Sequence, residues 1–149
     1  MSATSVDIPP GFMPAVVGGE FIANNGPLFA REHEGRFQLG FRVEARHTNP
    51  LGNCHGGMMA SFCDMLLPMA AHRHHDVGMR FLPTISLQID YLAAAALGVW
   101  VQGEAQVLRT TRVLVFMQGL VEADGQPVAR VSGLFKIGPA LEPRREIAG

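Results

Sequence analysis

The run Asn49-Pro50-Leu51-Gly52-Asn53-Cys54-His55-Gly56-Gly57-Met58-Met59-Ala60-Ser61-Phe62-Cys63-Asp64 decides how the rest of the chain is read. Turn-forming residues and a double glycine open a strongly apolar segment, and a single carboxylate lies about two helical turns inside it. Met58, Phe62, Met65 and Met69 recur at helical spacing, with Met59, Leu66 and Ala70 beside them. The pattern predicts a helix from Gly56 to Ala71 or His72. Gly57, Ser61, Asp64 and Pro68 fall along its other face. Pro68 has no N–H to bond the carbonyl of residue 64, so a kink freeing the Asp64 backbone oxygen is expected.

Working outward, the segments on either side read as strands around this helix. Pro27 to His33 and Arg36 to His47 flank Glu34-Gly35, a hairpin turn. In the second arm Phe37, Leu39, Phe41, Val43 and Ala45 share one face, as in a half-buried antiparallel strand. Ile85, Leu87, Ile89 and Tyr91 alternate with Thr84, Ser86, Gln88 and Asp90. A further strand runs through Val99 to Val107. Arg112 to Ala123 is apolar on both faces and reads as a central or interface strand. Asp124-Gly125 turns the chain into a last strand, Pro127 to Ile137. One long helix enclosed by about five or six antiparallel strands is an α+β architecture. It forms one domain over residues 21–138, with a loosely ordered lead-in at 1–20 and a frayed tail at 139–149.

Composition narrows the function classes. The 149 residues are 48% hydrophobic and 17% charged, which suits one globular domain with a real core. A net charge of −1 gives no polyelectrolyte signal, so neither nucleic acid nor an anionic membrane is expected as partner. No leader or membrane span is legible. Cys54 and Cys63 form neither a disulfide framework nor a C-x-x-C pair, and a cytoplasmic location is expected. His72, His74, His75 and Asp76 match no zinc spacing, and no metal or cofactor is expected.

The chemistry-bearing residues cluster in the opening run. Glycines at a helix start leave backbone N–H groups open to a close-approaching carbonyl oxygen, at the positive end of the helix dipole. The bland alternative is tight helix–strand packing. A buried carboxylate must be ion-paired, hydrogen-bonded or protonated, which makes Asp64 either a base or nucleophile or a structural acid bonded to a neighbouring strand. His55 could donate to a ligand or orient the loop. Asn49 could position a catalytic group or close an Asx turn before Pro50.

The joint pattern Asn49-x-x-Gly52-x-x-His55-Gly56-Gly57-x6-Asp64 resembles the hotdog-fold acyl-CoA thioesterases of the phenylacetate-pathway (PaaI-like) family. Thr84 to Gly98, with Asp90-Tyr91-Leu92, resembles that family's next strand, and Ala123 to Ala129 its last hairpin. The resemblance covers about residues 20–138. It implies that the Gly56 N–H polarises a thioester carbonyl and that Asp64 attacks it or activates water. Asn49 and His55 would position water or the thioester, and Gly57, Ser61, Thr84 and Arg112 would contact substrate. The alternatives on the same fold are an acyl-CoA sensor without catalysis and a hydratase or dehydratase. Ala93 to Ala96 and Thr111-Arg112 depart from the family's usual Pro and Gly-Arg, which touches substrate class more than reaction type.

Gly56 and Asp64 stand about 12 Å apart along a helix rising 1.5 Å per residue. Groups acting on one carbon must lie within about 3–3.5 Å of it. One chain therefore cannot easily supply both, whereas two antiparallel helices can. This agrees with what the resemblance implies: a homodimer with two shared sites, itself able to pair into a tetramer.

Overall fold

A computed structural model describes residues 7–142. Seven strands form one antiparallel sheet, β1 (Met13–Pro14), β2 (Phe29–His33), β3 (Arg36–Arg42), β4 (Thr84–Tyr91), β5 (Trp100–Thr110), β6 (Leu114–Ala123) and β7 (Gln126–Lys136). Their order is β1-β2-β3-β5-β6-β7-β4, so β6 is interior and β4 is an edge. The helices are α1 (Glu20–Asn25) and the long α2 (Gly56–Ala71). A sheet wrapped on one central helix is the hotdog arrangement.

The two short hairpins follow from local chemistry. Glu34 and Gly35 both adopt positive φ, 52° and 75°, and so do Asp124 and Gly125, 49° and 75°. Two consecutive positive values match the right-handed twist of the flanking strands. The β2–β3 and β6–β7 pairings run directly out of these turns.

Phe62, Cys63, Leu66, Leu67 and Ala71 of α2 are fully buried against Leu39, Phe41, Val101, Val121 and Phe135 of the sheet. The close approach depends on three glycines of adjoining strands. A Cβ on Gly103 would lie 2.7 Å from Leu66 Cδ2, and one on Gly133 only 2.6 Å from Leu67 Cδ1. At Gly119 it would meet the Glu104 carbonyl oxygen at 2.8 Å and Leu67 at 3.3 Å. Helix and sheet thus interdigitate where the sheet has no side chain.

Several expectations are revised. The sheet has seven strands because the short β1 adds to β2. The strand expected to reach His47 ends at Arg42, and Ala45–His47 forms a 3-10 turn. There Glu44 and His47 close a capping box, and the buried His47 ring bonds Asn25 O at 2.6 Å. Within the described residues the lead-in is anchored rather than loose. Phe12 is buried with Phe29 and Trp100 on the outer face of the sheet, its ring centroid 4.9 Å from the indole. The described start of the tail is also tied down, with Leu141 N–H donating to Met79 O. The other residues placed in the tail, 143–149, and residues 1–6 of the lead-in lie outside the described residues. Helix α2 runs unbroken through Pro68 to Ala71, so the proline forfeits one backbone hydrogen bond without ending the helix.

Candidate active site at the open face of the central helix

His55 is the N-cap of α2, and its Nδ1 accepts the Gly57 N–H at 2.8 Å. The ring must therefore carry any proton on Nε2 when neutral, with Nδ1 as acceptor. Gly57 is thereby spent as a donor. A Cβ on Gly57 would stand 3.0 Å from His55 Nδ1, so the missing side chain makes room for the cap itself. Gly56 differs: its carbonyl accepts the Tyr91 hydroxyl at 2.7 Å, while its N–H has no partner among the described residues. The helix thus begins with one free, exposed donor.

Asn49 bonds within its own loop. Its Oδ1 accepts the N–H groups of Leu51 and Asn53, at 3.0 and 3.2 Å, and so closes the loop ahead of the helix. Ser61 donates to the Gly57 carbonyl at 2.8 Å, one turn back along α2. It lines the helix face beside the site, but its hydroxyl is already bonded.

Asp64 is half-buried, turned toward the edge strand β4 rather than enclosed in the core. Thr84 Oγ1 donates to Asp64 Oδ1 at 2.6 Å. Simple alternation along β4 puts Thr84 opposite Leu87 and Ile89. The register shift between Thr84 and Ser86 reverses this. Thr84 pairs with the core residue Phe135 and Ser86 with Leu134, so Thr84 joins the inner face. Asp64 Oδ2 has no hydrogen-bond partner among the described residues.

Arg112 sits in the exposed turn between β5 and β6, at the end of the sheet where β4 begins, and makes no ion pair among the described residues. Arg80 and Arg130 are already engaged, by the Gly138 carbonyl and by Asp90. In both cysteines the thiolate form is disfavoured. Burial pushes Cys54 up to about 11 and Cys63 up to about 12, the Asp64 charge adding to the second. His74, His75 and Asp76 bring donor atoms within 4.8 Å of one another, but those atoms already bond within the cluster and to Thr110.

Two hollows flank these elements. One of about 320 Å³ lies between α1 and the start of α2, lined by Phe21, Asn25, His47, His55, Met58 and Ser61. A larger one of about 1330 Å³ spreads over Glu104, Gln118, Leu120 and Arg130 on the outside of the sheet, and it reaches neither Gly56 nor Asp64. The smaller borders the helix start at His55, Gly57 and Ser61, and its lining likewise includes neither Gly56 nor Asp64. Residue patterning missed Tyr91 as a neighbour of Gly56, although an aromatic ending the strand after the helix was a usable signal.

This fold, one long central helix wrapped by an antiparallel sheet, defines a hotdog protein. The chain belongs to the thioesterase superfamily, whose family model matches residues 51–129, more than half its length. It is 24% identical over 133 residues to a Pseudomonas aeruginosa protein named "Putative esterase PA0474", covering 89% of this chain and 98% of that one. The BH2602 protein of Bacillus halodurans, solved with CoA, is 26% identical with a TM-score of 0.66, over 77% of this chain and 74% of that one. A phenylacetic acid degradation-related protein of Ralstonia eutropha shares the fold at 21% identity, with a TM-score of 0.69 over 81% and 92% of the two chains. No helix among the described residues is long and apolar enough to cross a membrane.

Proposed function

We propose that the protein hydrolyses an acyl-CoA thioester to the free acid and CoA, in a site shared by two chains. The observation that carries this reading is the pairing of a Thr84-held Asp64 with the uncommitted Gly56 N–H on one helix. The N–H polarises the thioester carbonyl and stabilises the oxyanion formed on attack. Asp64, with Oδ2 open, removes a proton from attacking water or attacks the carbonyl itself. His55 borders the scissile group through its exposed edge, and Asn49 acts by fixing the loop that presents it. The CoA bound to the Bacillus halodurans relative supports the choice of thiol. Arg112 is an uncommitted cation for its phosphates.

The separation of Gly56 and Asp64 along α2 supports complementation by a second copy. So does edge strand β4, which among the described residues pairs with β7 alone and exposes Ile85 and Tyr91. Pairing of such dimers into a tetramer fits the exposed Leu120 and Phe116 on the outer sheet face. The test is release of CoA thiol from a panel of aryl- and alkyl-CoA thioesters, with Asp64→Asn as control. Thiol release by the wild type alone supports the proposal. Formation of enoyl thioester without free thiol, or binding without turnover, overturns it.

A further inference from the structure

Tyr91 lies outside the acid–donor pair, yet its hydroxyl donates to the Gly56 carbonyl at 2.7 Å. That carbonyl and the Gly57 N–H belong to one peptide unit, and the N–H of the same unit is held by His55 Nδ1 at 2.8 Å. One peptide plane is therefore gripped at both ends by side chains from different parts of the fold. The phenol also lies flush against the glycine: a Cβ on Gly56 would stand 3.5 Å from Tyr91 Oη and 3.6 Å from Cζ.

Two successive glycines make this the conformationally loosest point of the helix start. A free N–H can stabilise an oxyanion cheaply only when its direction is fixed before the reaction. We propose that Tyr91 is a positioning residue which, with His55, clamps the Gly56–Gly57 peptide, restricts rotation about the Gly56 Cα, and so steadies the adjoining His55–Gly56 peptide that carries the Gly56 N–H. Its effect is exerted through Gly56, and Tyr91 itself need not touch substrate. The phenol, which desolvation moves upward from its ordinary value, is protonated and therefore a donor at neutral pH. The same strand then serves both half-sites of its chain: β4 holds Asp64 through Thr84 at its beginning and Gly56 through Tyr91 at its end. The bulge after Thr84 lets two residues seven apart face the same helix.

This role rests on the thioesterase reading and is tested separately from it. Tyr91→Phe keeps the ring and removes only the donor. The expected result is a fall in kcat of about fivefold to tenfold, with KM within about twofold and the melting temperature close to wild type. Amide exchange at Gly57, followed by NMR, should quicken while exchange at buried Leu66 does not. An unchanged kcat overturns the role. So does a loss that tracks a lowered melting temperature, or unchanged Gly57 exchange, because a merely structural tyrosine would behave in one of those ways. If wild type releases no thiol from any acyl-CoA, the thioesterase reading falls and the catalytic role of Tyr91 with it. If wild type turns over and only the Phe variant is unaffected, this inference alone fails.

Discussion

Thr84 Oγ1 donates to Asp64 Oδ1 at 2.6 Å, and the bulge between Thr84 and Ser86 brings the hydroxyl to the helix side of the sheet. The bond fixes one carboxylate oxygen and leaves the other to act. A hydrogen bond to an ionised acceptor is among the stronger side-chain contacts. Thr84→Val, which preserves shape, should lower kcat for thioester hydrolysis about tenfold or more. Thr84→Ser should retain most of it. Steady-state kinetics on one acyl-CoA decides this, and equal activity of Val and Ser variants would show that the bond is only structural.

The glycine lane under α2 predicts a steric cost independent of catalysis. A Cβ at Gly119 would lie 2.8 Å from the backbone oxygen of Glu104, which cannot swing aside as a side-chain tip can. Gly119→Ala should therefore destabilise by about 1–3 kcal/mol. Urea denaturation should show a lower midpoint at an unchanged m value. An unaltered midpoint would mean that β5 and β6 separate there at no cost.

Buried Cys63 predicts a pH dependence. Its thiol is raised from about 9 to about 12, chiefly by burial and then by Asp64 and Cys54. The folded chain therefore holds this proton more tightly than the unfolded chain. The stabilisation is complete below about pH 9 and is lost as pH rises from there toward about 12. Cys63→Ala should flatten that part of the stability curve relative to wild type. Iodoacetamide at pH 8 should leave Cys63 of the folded protein unmodified and label it once urea is added. Ready labelling of the native protein would contradict the burial.

Much of this arrangement was legible in the residues. The apolar spacing of Met58 to Met69 marked α2 to within a residue, and Glu34-Gly35 and Asp124-Gly125 marked two turns correctly. What escaped depended on tertiary context. Alternation along β4 put Thr84 on the wrong face, because a one-residue bulge leaves no mark in a polar–apolar pattern. Helix α1 is short and buries none of its residues, so its sequence carries no stripe. The burial of Trp100 has no local mark, because the aromatic residues covering it, Phe12 and Phe29, come from distant segments. Ser61 and Asn49 bond backbone groups four residues away, a choice of partner that the residue pattern leaves open.

The central claim is that one site takes its donor from Gly56 of one chain and its acid from Asp64 of another. Gly56→Pro removes the donor at the first helical position, where proline is favoured. His55 already has the extended backbone, ψ 138°, that a following proline requires. Gly56→Pro and Asp64→Asn should each fold and each lose nearly all thiol release. Co-expressed with different tags and purified as the mixed dimer, they should regain about half the wild-type turnover, since one of two symmetric sites is then intact. A mixed dimer as inactive as its parents, or an Asp64→Asn chain with wild-type turnover, would contradict the account.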